Sequence, residues 1–166
     1  AERNGNEKYF DCLAMDSDTD MFTELPEKAT TIELEAPSQF LNEDRSRYPY
    51  LTEEMEIGAK GAERQRSVGR YKLDSRGTPD FSDHFDTITK AAREHLQRLN
   101  NDYDRNRDSY NLFLFHSLGG GTGSGTFPLA GTVLHHLGNT IEANYGIDVY
   151  VGGVGILPLV MQDPEV

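Results

Sequence analysis

The segment FLFHSLGGGTGSGTFPLAG, Phe113 to Gly131, sets five glycines into the seven residues from Gly119 to Gly125, between two apolar stretches. Glycine and serine usually build flexible linkers, but linkers rarely join two core-grade apolar segments without a break. A strand that runs into glycines and then into a helix start makes an anion site instead. Without Cβ atoms, successive N–H groups turn inward, and the helix terminus adds partial positive charge. The expected cradle is the backbone of Ser117, Leu118, Gly119, Gly120, Gly121, Thr122, Gly123, Ser124 and Gly125, with the Thr122 and Ser124 hydroxyls as extra donors.

Spacing excludes the common phosphate loops. No Lys-Ser or Lys-Thr pair closes the run, so it is not a P-loop. The third glycine of a dinucleotide fingerprint falls on Ser124 when counted from Gly119, and on Thr126 when counted from Gly121. This argues against a nicotinamide or flavin site. A nucleophile elbow fails as well, because Ser124 has Thr122 and Thr126 where glycines are required.

The rest of the chain reads as strands alternating with helices. Tyr9 to Met15 reads as a mostly buried strand containing Cys12, stopped by Asp16-Ser17-Asp18-Thr19-Asp20. Thr31 to Ala36 alternates like an exposed strand, and 37–49 is loop. Ile57 to Arg70 reads as a glycine-punctuated basic loop, a local reversal of sign. Phe81, Phe85, Ile88, Ala92, Leu96 and Leu99 form one helical stripe, with Thr78 as cap, Pro79 at the first position and Arg93 and Arg98 near the negative end. A polar loop fills 100–109. Leu112 to Phe115 is a continuous apolar run expected to be covered on both faces. A second helix runs from about Ser124 to Tyr145, with Leu129, Val133, Leu134, Leu137 and Ile141 inward. Val149 to Leu157 is a further buried strand, closed by Pro158. The alternation predicts an α/β fold on a parallel sheet, with ligands beyond the carboxyl ends of the strands. The Asp-rich loop, the glycine loop and the loop at Pro158 should therefore meet on one rim.

Composition narrows the partners. The net charge of −12, with 28 acidic residues against 16 Lys and Arg, repels nucleic acid and anionic membranes. An acidic, Lys-poor surface is what halophilic proteins carry. One cysteine, Cys12, excludes an internal disulfide and a multi-Cys zinc cluster. Asp16, Asp18, Asp20 and Glu27 match four calcium-loop positions, but Met21 occupies the obligatory glycine and a strand stands where a helix is needed. His116 should make an ordinary structural hydrogen bond, and His135 and His136 should lie on the surface. Ala1 in place of an initiator Met and the ending Pro164-Glu165-Val166 suggest an internal piece, a single partial domain spanning residues 1–166.

The run His116 to Gly125, HSLGGGTGSG, resembles the signature loop of the tubulin/FtsZ family, GGGTG[ST]G. Its first three residues are similar to those of eukaryotic tubulin. Thr126-Phe127-Pro128 looks more like the FtsZ continuation. Met15-Asp16-Ser17-Asp18 resembles the acidic loop that faces the outer phosphates and a water-bound Mg²⁺, which implies Asp16 and Asp18 on the metal side. Gly58-Ala59-Lys60-Gly61-Ala62 resembles the loop that senses the γ-phosphate, implying Gly58, Ala59, Gly61 and Ala62 near it. Arg64, Arg66 and Arg70 depart from the family pattern, and any of them could neutralise phosphate charge. Pro158 to Glu165 looks like the loop beside the ribose, where Asp163 or Glu165 would accept from a sugar hydroxyl.

The resemblance implies a three-layer, Rossmann-like domain with a parallel sheet, incomplete at both ends. It also implies GTP/GDP with Mg²⁺, a cytoplasmic location without membrane insertion, and head-to-tail filaments in which a neighbour's acidic loop completes hydrolysis. The first strand with its own glycine loop, and that acidic loop, would then lie outside this sequence, leaving the slice hydrolytically inactive. A non-polymerising nucleotide-binding module of a larger scaffold is the alternative. No residue distinguishes guanine from adenine.

Overall fold

The computed structural model describes residues 9–35, 47–52, 55, 57–58, 61–74, 81–99, 103–104 and 108–157. Strand β1 (Leu13–Asp16) pairs in parallel with β2 (Thr30–Glu33), in register from Leu13↔Thr30 to Asp16↔Glu33. Parallel neighbours need a crossover of about a dozen residues. Residues 17–29 supply it, with a 3₁₀ turn over Thr19–Glu24 capped by the Asp18 carboxylate, which accepts from the Asp20 N–H. In β2 and just beyond it, Ile32 and Leu34 are buried while Thr31, Glu33 and Glu35 are exposed, the alternation expected of a half-covered strand.

Among the described residues three helices are complete: α1 (Arg66–Asp74), α2 (Phe81–Leu99) and α3 (Thr122–Tyr145). Helix α3 ends at Gly146, whose φ of +63° is the left-handed turn that lets its N–H reach the Glu142 carbonyl. Strands β3 (Ser109–Ser117) and β4 (Asp148–Ile156) pair in parallel along their whole length, from Ser109↔Asp148 to Ser117↔Ile156. Helix α3 lies over this pair. A Cβ on Gly138 would stand 3.2 Å from Val151 and 3.3 Å from Val149, so the glycine lets the helix settle close to β4.

The apolar residues gather in three clusters. Leu96, Leu99, Leu137, Ile141 and Ile147 join α2 and α3. Ile32, Leu34 and Leu73 join β2 to α1, with Ile88 packed against both of these clusters. Tyr48, Leu51 and Tyr71 form the third, where the Tyr48 and Tyr71 rings meet edge-on at 5.0 Å.

The α2 and α3 stripes fall where their spacing predicts, and the strands pair in parallel, giving an α/β fold. Thr78 and Pro79 lie outside the described residues.

Four expectations are corrected. The first strand begins at Leu13, where pairing with Thr30 begins, so Phe10 and Cys12 are exposed and Cys12 is not a core residue. The loop read over 57–70 turns helical at Arg66, because Val68, Tyr71 and Leu73 have a core to enter. The strand pairs form two two-stranded sheets among the described residues. Among the described residues the pair β3–β4 is covered on one face only: Phe113 is 58% and Phe115 67% exposed, with Tyr150, Val154 and Ile156 beside them, and Leu157 lies past the strand.

Tyr110, at the start of β3, has its hydroxyl 2.8 Å from His95 Nδ1. Burial pushes its pKa from 10.0 up to about 12, with Asp11 adding to the rise and Arg98 opposing it. The folded state thus keeps a proton that the unfolded state loses first. The stabilisation is full below pH 10 and disappears as the pH approaches 12. Tyr50 is raised in the same sense, by burial and then by Asp74. The unfolding free energy from denaturant titration should fall across this window, and Tyr110→Phe should flatten the fall while lowering the neutral-pH value by about 1 kcal/mol. A flat alkaline profile in the parent protein would contradict this assignment.

Candidate functional site

Strands β1 and β3 both end in loops that meet at the start of α3. Asp16 closes β1, and its Oδ1 accepts from the Ser17 N–H at 2.7 Å and the Asp18 N–H at 3.1 Å. That turn drives Ser17 inward to 2% exposure. Its hydroxyl lies 2.7 Å from the Thr122 hydroxyl on α3, and its carbonyl accepts from the Gly61 N–H at 2.8 Å. One buried serine therefore joins the Asp-rich loop, the 58–62 segment and the glycine loop.

The glycine loop is compact. The N–H groups of Gly119 and Gly120 converge on Ser117 Oγ at 3.2 and 3.3 Å, so one oxygen stands where two amides point. Helix α3 then begins with Gly121 as its cap residue, without a side-chain cap and without an acidic residue in its first turn. First-turn amides have no intrahelical acceptor, and at the start of a 24-residue helix they carry the positive end of the dipole. The Thr122 hydroxyl is half-buried beside them. Ser124 is buried and donates its hydroxyl to the Gly120 carbonyl, so it shapes the loop; the expected extra donor is Thr122 alone.

The other glycines serve packing. A Cβ on Gly121 would stand 2.7 Å from the Ala62 carbonyl oxygen, and one on Gly123 would stand 2.9 Å from the Ser117 nitrogen. Gly69 and Gly125 let α1 cross α3 at backbone distance. Their Cβ positions lie 2.3 Å from Gly121 O and 2.2 Å from Arg66 O. The chain around Gly61 bends with positive φ at Gly61, Glu63 and Arg64, and Ala62 O accepts from the Gln65 N–H at 2.7 Å as α1 approaches.

The three candidate arginines separate. Arg66 Nη2 donates to the Leu118 carbonyl at 2.8 Å, holding the strand end to α1. Arg70 lies over the Tyr50 ring at 4.6 Å. Arg64 is exposed. His116 stacks on Phe127 at 4.3 Å and lies 3.4 Å from the Ser117 carbonyl, a structural contact as expected. His135 and His136 are exposed. Ala59, Pro158, Asp163 and Glu165 lie outside the described residues.

Reading from the sequence missed Ser17, Gly69 and Lys72. A serine between two aspartates looks like turn material, and only the fold reveals its buried hydroxyl. Lys72 has no exposed surface. Burial pulls its pKa down, while Glu35, Glu33 and Glu63 counteract that fall. Among the described residues no group of three or more His, Cys, Asp or Glu gathers to hold a metal ion, and no helix is long and apolar enough to cross a membrane.

A parallel α/β fold, with an Asp-rich loop and a glycine loop meeting at an uncapped helix start, agrees with the family comparison. The model of the family described as tubulin like matches residues 16–165, and the chain belongs to that family. No curated protein and no solved structure matches it.

Proposed function

We propose that the protein binds GTP or GDP through its phosphates at the start of α3, with Mg²⁺ shared between those phosphates and the Asp16 and Asp18 carboxylates. The carrying observation is the meeting of three loops through Ser17: its hydroxyl beside Thr122 at 2.7 Å and its carbonyl on the Gly61 N–H at 2.8 Å. The donor set fits the ligand. Glycine-loop amides, first-turn amides and the Thr122 hydroxyl suit phosphate oxygens, while two nearby carboxylates suit a cation and disfavour bare phosphate. Asp16 Oδ1 is occupied by two N–H groups, which leaves Oδ2 as the metal-side oxygen. With too few ligands for a closed metal site among the described residues, the cation depends on oxygens of the nucleotide.

In this role the backbone donors hold and orient the phosphates, and their fixed dipoles oppose charge that builds there as the terminal group leaves. Magnesium, when bound, supplies further charge neutralisation at the phosphate oxygens. The Arg66 guanidinium keeps Leu118 and the strand end in place. The fold class fits a cytoplasmic, self-assembling GTPase in which a neighbouring subunit supplies the water-activating carboxylate. Parallel strands are normally covered on both faces, and a third layer over Phe113, Phe115, Tyr150, Val154 and Ile156 would complete the domain.

Sedimentation of the full-length protein with GTP and Mg²⁺ at high salt tests the assembly. GTP-dependent pelleting that GDP does not support is the expected result. Saturable GTP binding without pelleting would identify a non-polymerising nucleotide-binding module.

A further inference from the structure

We infer that Ser17 is a positioning residue for the phosphate site: its buried hydroxyl donates to Thr122 and so aims the Thr122 proton outward at the ligand. This rests on the phosphate reading given above. The two hydroxyls lie 2.7 Å apart, and the geometry by itself permits either to donate. Their surroundings settle the direction once an anion is present. Ser17 is 2% exposed and faces inward, whereas Thr122 is half-buried in the first turn of an uncapped helix. Thr122 belongs to that first turn and Ser17 does not, so Thr122 is the member of the pair placed to pass its proton to an anion there. A hydroxyl that donates outward keeps two lone pairs for an incoming bond, and Ser17 supplies that bond. The chain Ser17 to Thr122 to anion is polarised in one direction, and each link strengthens the next.

The Ser17 main chain is held separately from its side chain. Its N–H donates to Asp16 and its carbonyl accepts from Gly61. Removing the hydroxyl therefore leaves the loop path intact and frees only the Thr122 rotor, which then divides its time between outward and intrahelical directions. Serine is a turn former by composition, but a turn former does not need a hydroxyl buried against a helix one hundred and five residues further along the chain.

The test is calorimetric titration of the full-length protein with GTP in the presence of Mg²⁺, for wild type, Ser17→Ala, Thr122→Val and the double variant. Ser17→Ala should weaken binding by about five- to tenfold. In the Thr122→Val background the same change should alter affinity by less than about twofold, because the hydroxyl it directs is gone. Should Ser17→Ala precipitate, Ser17→Cys, which fills the site with a slightly larger but weakly donating group, carries the same comparison. Unchanged affinity in Ser17→Ala overturns the proposal. So does a full loss that persists when Thr122 is already Val, since that pattern belongs to a purely structural serine. Wild-type protein that fails to bind GTP overturns the phosphate site itself, an outcome distinct from both.

Discussion

Gly125→Ala is expected to destabilise the protein by about 3 kcal/mol or more, the scale of a severe overpacking defect. The added Cβ would stand 2.2 Å from the Arg66 carbonyl oxygen and 2.7 Å from the Arg70 nitrogen. Both are backbone atoms of α1, so no side chain can rotate to make room. The helices must separate, and separation opens the crossing in which Gly69 meets Gly121 and Thr122. In a domain of this size the melting temperature should fall by roughly 10 °C. Gly131→Ala on the same helix is the control. Nothing lies within 4 Å of its Cβ position, and the gain in helix propensity should raise stability by about 0.5–1 kcal/mol. Thermal unfolding of the two variants checks the pair. Equal melting temperatures would mean that α1 and α3 do not cross at backbone distance.

Gly120→Val is expected to weaken nucleotide binding by about thirtyfold or more with little change in stability. The nearest atom to a Cβ at this position is Ser117 Oγ, at 3.7 Å, so the protein itself accepts the side chain. That same oxygen is where the Gly119 and Gly120 amides converge. A branched side chain beside it crowds the space an anion needs in order to replace the hydroxyl. Gly121→Val and Gly123→Val are poorer tests, because their Cβ atoms would strike Ala62 and Ser117 and disturb the fold as well. Titration with GTP, alongside a melting curve for the same sample, separates the two effects. Affinity equal to wild type in a folded Gly120→Val protein would remove the glycine loop from the site.

The sequence made some parts of this molecule legible and concealed others. Helix α2 was readable because Phe85, Ile88, Ala92, Leu96 and Leu99 repeat at helical spacing. Helix α3 was readable because its apolar stripe at helical spacing follows the glycine run that ends β3. Helix α1 was not. Its Gly69 and its arginines look like loop material, and the stability of the helix comes from a crossing with α3 that local propensity does not encode. The bare face of β3–β4 was hidden for a related reason, since Phe113 and Phe115 look the same in sequence whether covered or exposed. At the site, the glycine loop and both aspartates stood out by residue type and spacing. Ser17 did not, because what distinguishes it is a 2.7 Å contact with a residue far along the chain.

Calorimetric titration of the full-length protein with GTP, GDP and guanosine in Mg²⁺ decides whether the site recognises phosphate, because recognition by backbone amides must appear as dependence on phosphate. Saturable binding of GTP and GDP is expected, with guanosine weaker by orders of magnitude. Equal affinity for guanosine and GTP, or no binding of either nucleotide, would contradict it.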